Sequence, residues 1–209
     1  YDTANDKVVF VYTDIGNSSY GTAVVGTVSG NSISLGTPVA FNAGTTYFSS
    51  CAYDESNGKI VIAYQDAGDS NKGKAIVGTV SGTSISFGTE VEFAASITGY
   101  TATFYHPVQQ SIVIAYEASA SKLIAGTVSG TSISFGSVGT LTGNNMEWPS
   151  FAYDSDNDTL ILSFEGSSNK GYVGAVTVSG TTVTLNQTVV FNNATTQHTS
   201  AIYDKNAQK

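Results

Sequence analysis

Tyr53-Asp54-Glu55-Ser56-Asn57-Gly58-Lys59-Ile60-Val61-Ile62-Ala63-Tyr64-Gln65-Asp66, continued after a polar loop by Ala75-Ile76-Val77-Gly78-Thr79-Val80-Ser81-Gly82-Thr83-Ser84, decides the fold, because the chain repeats it. The same text runs over 1–32, 105–132 and 153–182, and starts again at Tyr203. The marker tyrosines Tyr1, Tyr53, Tyr105, Tyr153 and Tyr203 are separated by 52, 52, 48 and 50 residues. Each marker is followed 11 residues on by another aromatic (Tyr12, Tyr64, Tyr116, Phe164), and each Ser-Gly turn precedes the next marker by 23. All length variation therefore falls in one loop, 66–74 in the second repeat and 117–122 in the third. A scaffold that tolerates change in one place has that place on its surface.

Each repeat resolves into four strands, in the second repeat Phe48–Tyr53, Lys59–Gln65, Lys74–Val80 and Ser84–Phe87 with an extension to Phe93. Asp-x-x-Asn-Gly joins the first two, Asp bonding back to the backbone and Asn-Gly accepting positive φ. Ser81-Gly82-Thr83 places Gly where a primed hairpin turn needs it. Tight turns make neighbours antiparallel, so the unit is a four-stranded meander. Such a unit must pack on its copies, which predicts an all-β protein of β-propeller type, with a larger propeller or an open repeat array as the alternatives. The first repeat lacks a leading strand and 199–203 supplies a spare one. This predicts a four-bladed ring closed by the terminal strand, with blades at about 1–47 plus 199–203, 48–99, 100–147 and 148–198 in a single repeat domain.

Composition narrows the function classes. Only 11% of residues are charged, net charge is −8, and the eight basic residues are all Lys. Phosphate backbones repel such a surface and the Arg forks that read guanine are missing, which excludes nucleic acid as the expected partner. No apolar run approaches the ~20 residues of a helical span, so no membrane insertion is expected. Cys51 is the only cysteine, so there is no intrachain disulfide. Scarce lysine with abundant Ser, Thr and Asn fits an extracellular or virion-surface protein. Asn17, Asn157, Asn186 and Asn193 open N-glycosylation sequons, at a frequency expected by chance in so Asn- and Thr-rich a chain. A chain opening on Tyr1, with no visible signal peptide, reads as a processed product or a segment of something longer.

The string Gly78-Thr79-Val80-Ser81-Gly82-Thr83-Ser84-Ile85-Ser86-Phe87-Gly88-Thr89, nearly repeated at 26–37 and 126–137 and alternating with Tyr-Asp-x-x-Asn-x-Lys, resembles the roughly fifty-residue β-repeats of predicted phage tail-fibre and bacterial surface proteins. The resemblance spans the whole chain and implies a surface location, but no activity. Tyr105-His106-Pro107 departs from Tyr-Asp and predicts a differently built turn in the third repeat.

Alternating strand direction sends the loops with the length variation, and most unusual residues, to one end of every blade. Five residues before each marker stand Phe48, Tyr100, Trp148 and His198, a ring system at the same place each time. At the end of the second strand stand Asp14, Asp66, Glu117 and Glu165, aligned to within one position. An aromatic plane beside a carboxylate holds a sugar by stacking and hydroxyl hydrogen bonds, and would also hold a small cation. The structural alternative is that the rings plug gaps between blades and the carboxylates cap turns. Asp154, Asp156 and Asp158 alternate as at the start of a calcium loop, with Glu165 twelfth. Thr159, however, replaces the required Gly and 159–164 read as a strand, so an Asp-rich turn is expected and no metal or cofactor. His106 and His198 fall at opposite ends and no catalytic triad is indicated. The sequence thus predicts a non-enzymatic module that binds cell-surface glycans as an adhesin, with a self-associating fibre block as the alternative. A glycan-cleaving enzyme using a carboxylate pair comes last, because here the carboxylates repeat with the fold instead of breaking its symmetry.

Overall fold

The structure is a computed structural model that describes residues 1–140 and 145–207. It is all-β and antiparallel, and the strands follow the repeats. The first sheet holds β1 (Val8–Asp14), β2 (Tyr20–Ser29), β3 (Ser32–Leu35) and the first half of β4 (Val39–Asp54). The second takes the rest of β4 with β5 (Lys59–Asp66), β6 (Lys72–Ser81), β7 (Ser84–Phe87) and β8 (Val91–Ile97). The third holds β9 (Gly99–His106), β10 (Ser111–Glu117), β11 (Ser121–Ser129), β12 (Ser132–Phe135) and β13 (Gly139–Thr140). The fourth holds β14 (Glu147–Asp154), β15 (Thr159–Glu165), β16 (Gly171–Ser179) and β17 (Thr182–Asn192). No helix among the described residues is long and apolar enough to cross a membrane.

The turn motifs act as their chemistry dictates. Asp54 Oδ1 accepts from Asn57 N at 3.1 Å, and Asp2, Asp154 and Asp204 accept from the same relative backbone position. In the third repeat His106 Nδ1 takes that acceptor role toward Gln109 N at 3.4 Å, so an imidazole replaces the carboxylate within the same turn geometry. The ring is buried and its pKa is lowered by that burial, with Asp158 opposing; the neutral form is the one that can accept.

Between sheets, apolar faces meet three times. Val80 and Ile85 pack on the first sheet with Val25, Phe41 and Ile62. Val128 and Ile133 do the same on the second with Val77 and Phe93, and Val178 and Val183 on the third with Leu123 and Ala125. Burying an Ile this way is worth about 1.5–3 kcal/mol. The corresponding residues of the first sheet have nothing against them: Ile33 is 55% exposed where Ile85 is 4%. The junctions are also closed by backbone. A Cβ at Gly36 or Gly88 would stand 1.9 Å from the carbonyl oxygen of Thr83 or Thr131 in the next sheet, and one at Gly136 would stand 2.3 Å from that of Thr181. Only glycine admits so close an approach.

Among the described residues, closure by the terminal strand is not formed: β1 pairs with β2 alone, and 199–203 enters no ladder. That segment lies instead along β14, with Thr199 Oγ1 donating to Trp148 O at 2.7 Å and Ala201 N to Ser150 Oγ at 3.4 Å. Tyr1-Asp2 and Tyr203-Asp204 each complete a Tyr-Asp turn of their own.

Candidate functional site

The first strands of successive sheets lie side by side and are tied by short hydroxyl side chains. Ser50 Oγ lies 2.8 Å from Thr101 Oγ1 and 2.7 Å from Thr103 Oγ1, and Thr101 Oγ1 donates to Phe48 O as Thr199 does to Trp148 O. This close spacing stacks the aromatics into one ladder. Ring centroids are 4.8 Å apart for Phe48–Tyr100, 4.8 Å for Tyr100–Trp148 and 4.1 Å for Trp148–His198. The four residues that the repeat spacing singles out are therefore brought together.

The ladder is held by a strained backbone. Phe48, Tyr100, Trp148 and His198 all adopt positive φ, at 49°, 43°, 51° and 54°. For bulky side chains this region costs on the order of 1–3 kcal/mol each and marks an outlier worth explaining. The local cause is a bulge: pairing of β4 with β5 shifts between Tyr47 and Ser50, and that of β14 with β15 between Glu147 and Ser150. The bulge takes the aromatic out of the ladder of backbone hydrogen bonds and re-aims its ring along the stack.

The carboxylates divide. Register places Gln65 opposite Tyr47, Glu117 opposite Gly99 and Glu165 opposite Glu147, each partner one residue before an aromatic. The equivalent set is thus Thr13, Gln65, Glu117 and Glu165. Asp14 and Asp66 sit one residue further out. Asp66 Oδ1 accepts from Gly68 N at 2.9 Å and caps the 3-10 turn Ala67–Asp69, and Asp14 precedes the matching turn Ile15–Asn17 without a side-chain cap. The expected carboxylate in every repeat is therefore corrected: the structure puts Glu117 and Glu165 beside the rings and Asp14 and Asp66 at turns.

At the shared position, Thr13 Oγ1 donates to Thr46 O at 2.7 Å and Gln65 Nε2 donates to Thr98 O. Each carbonyl lies two residues before the next aromatic, Thr46 within β4 and Thr98 between β8 and β9, and both threonines are buried. Thr196 occupies the same seat in the last repeat, since Thr46 N, Thr98 N and Thr196 N donate to Ser19 O, Asn71 O and Asn169 O respectively. Ionised Glu165 cannot donate to such a carbonyl. It is 5% exposed and its Oε2 has no hydrogen-bond partner. Its pKa is raised by burial first and Glu147 second, with His198 opposing, and that of Glu117 is raised by burial and then Glu147. Tyr100 is raised likewise by burial, then by the charge and hydrogen bonding of Glu147. Glu147 is a member of the site that sequence reasoning missed, because Tyr47, Gly99 and Gln197 stand at its place elsewhere and no repeat signal exists.

A cleft of about 490 Å³ opens between the second and third sheets, lined by Phe48, Tyr100, Glu117, Gln65 and Thr98. A smaller one of about 200 Å³ follows the ladder itself past Tyr100 and Trp148. The first falls in the range of small-ligand sites. Gly99 lets Glu117 approach: a Cβ there would be 3.1 Å from Glu117 Oε2.

The remaining candidates lie elsewhere. Asp154 is engaged by its own turn, accepting from Asp156 N and from Asn157 N and Nδ2, and β15 begins directly at Thr159. Asn17, Asn157, Asn186 and Asn193 are all exposed, Asn157 bonded to Asp154 and Asn186 to Thr177 Oγ1. No known protein family matches the chain, and a search of curated proteins found no relative.

Proposed function

We propose that this chain is a non-enzymatic surface module, exposed outside a cell or on a virion, that binds carbohydrate along the aromatic ladder. On this reading the four sheets are propeller-type blades stacked as an open array, and the stack is the rigid support for the ligand. The observation that carries it is the run of positive-φ aromatics. A structural plug between blades would not need four bulky residues in a costly backbone conformation, whereas a platform of fixed ring faces does. Tyr100 and Glu117 meet in the 490 Å³ cleft, which supplies a stacking surface and a hydroxyl acceptor together. The surface-protein resemblance and the Lys-only, acidic composition agree with a glycan-facing role. Glycan-array screening tests it. Trp148→Ala and Tyr100→Ala are each expected to weaken binding about two- to tenfold, in line with ~0.5–1.5 kcal/mol for a lost aromatic contact, and unchanged binding in both removes the site.

A further inference from the structure

The three carboxylates that bear on Tyr100, those of Glu117, Glu147 and Glu165, have no lysine paired with them among the described residues. Among the described residues every Lys–carboxylate ion pair lies on the second sheet, where Lys72 and Lys74 meet Asp69, Glu90 and Glu92. Glu147 and Glu165 stand directly opposite each other on β14 and β15, so two like charges share one rung. Like charges there are destabilising unless something neutralises them. Glu117 feels Glu147 as well, and Glu165 also feels His198. Glu165 adds an independent sign of a missing partner, being 5% exposed with an Oε2 that accepts no hydrogen bond among the described residues. Tyr100 is the ring all three act on, and Trp148 lies next along the ladder at 4.8 Å, with His198 4.1 Å beyond it.

Resting on the glycan reading above, we infer that the Trp148 end of the ladder takes a protonated amine, so that the preferred carbohydrate is one carrying free amino groups. An ammonium brings three donors to a cluster in which Glu165 Oε2 lacks one, and its charge is attracted to the ring faces of Tyr100 and Trp148. Neutral N-acetylated sugar offers no charge, and uronate sugars are repelled by Glu117, Glu147 and Glu165. The second blade lacks this preference: Gln65 is satisfied by Thr98 O, and Tyr47 replaces Glu147.

Isothermal titration with β-linked glucosamine oligomers, their fully N-acetylated counterparts and a uronate oligomer at neutral pH tests the inference. Glucosamine oligomers are expected to bind about tenfold more tightly than the acetylated ones, with no uronate binding. Glu147→Gln and Glu165→Gln are each expected to remove that margin, bringing free and acetylated oligomers to within about twofold of one another. Glu165→Gln is a safe variant, because Gln65 is the natural occupant of the equivalent position. Equal binding of free and acetylated oligomers overturns the amine preference and leaves the glycan reading standing. Binding of neither oligomer overturns both. A margin that survives both substitutions, with Glu165→Gln only raising the melting temperature, shows that Glu165 lacks a donor for structural reasons and overturns the assignment.

Discussion

The first two blades and the last two solve the same junction with different side chains. At the end of the second strand, Thr13 and Gln65 donate across to the carbonyl that leads into the next aromatic. Glu117 and Glu165 stand in the same place and, when ionised, have no proton to give. The early junctions are closed by a satisfied hydrogen bond; the late ones place a carboxyl there, half-buried at Glu117 and buried at Glu165. The difference teaches that one position of a repeated scaffold can carry either a donor that latches the next blade or an acid that, once ionised, cannot.

The comparison can be broken from either side. Gln65→Glu should have the largest effect, because it removes the donor to buried Thr98 O and adds a charge. A loss of about 3 kcal/mol is expected in urea unfolding, and an unchanged midpoint would show that the latch contributes nothing. Thr13→Val should cost about 1–2 kcal/mol by leaving the carbonyl of Thr46 unpaired, read by the same measurement. Glu165→Gln should go the other way, stabilising by about 1 kcal/mol at neutral pH if Thr196 O accepts as Thr98 O does. The smallest effect is the pH dependence. Raised carboxyls at Glu117 and Glu165 mean that the folded chain binds protons more readily than the unfolded one. Their contribution is complete below the ordinary carboxylate range and is lost as pH rises through their raised values. Thermal melts across that window should show stability falling with pH, with Glu147 and His198 the charged neighbours that modulate it. The double variant Glu117→Gln, Glu165→Gln should flatten the slope.

The architecture was legible in the sequence because the turn chemistry is local. Tyr-Asp-x-x-Asn-Gly and Ser-Gly-Thr each fix a backbone conformation without help from distant residues, and the fixed spacing of 11 locates the strand between them. The aromatic ladder was legible for the same reason. The carboxylate set was not, because two acidic residues one position out of phase mimic a repeat. Counting strictly from the marker gives Thr13, Gln65, Glu117 and Glu165, so the signal was present, but chemical likeness masked it. Strain at the aromatics leaves no mark on residue identity, since Phe, Tyr, Trp and His in the left-handed region are chosen for their rings. Matching strand text shows a spare strand at 199–203 but not its neighbour, which in the structure is β14 and not β1.

The glycine seats give the stack a direction. Gly36, Gly88 and Gly136 each receive the hairpin tip of the following blade, and the fourth blade has Asn186 at that place, bonded to Thr177. Its Cβ would meet an incoming hairpin at the distance that glycine alone tolerates. The opposite end remains an uncovered apolar face around Ile33 and Leu35. Among the described residues, then, the two ends do not offer each other the interior junction: the seat that three blades leave to glycine is filled in the fourth by an asparagine side chain.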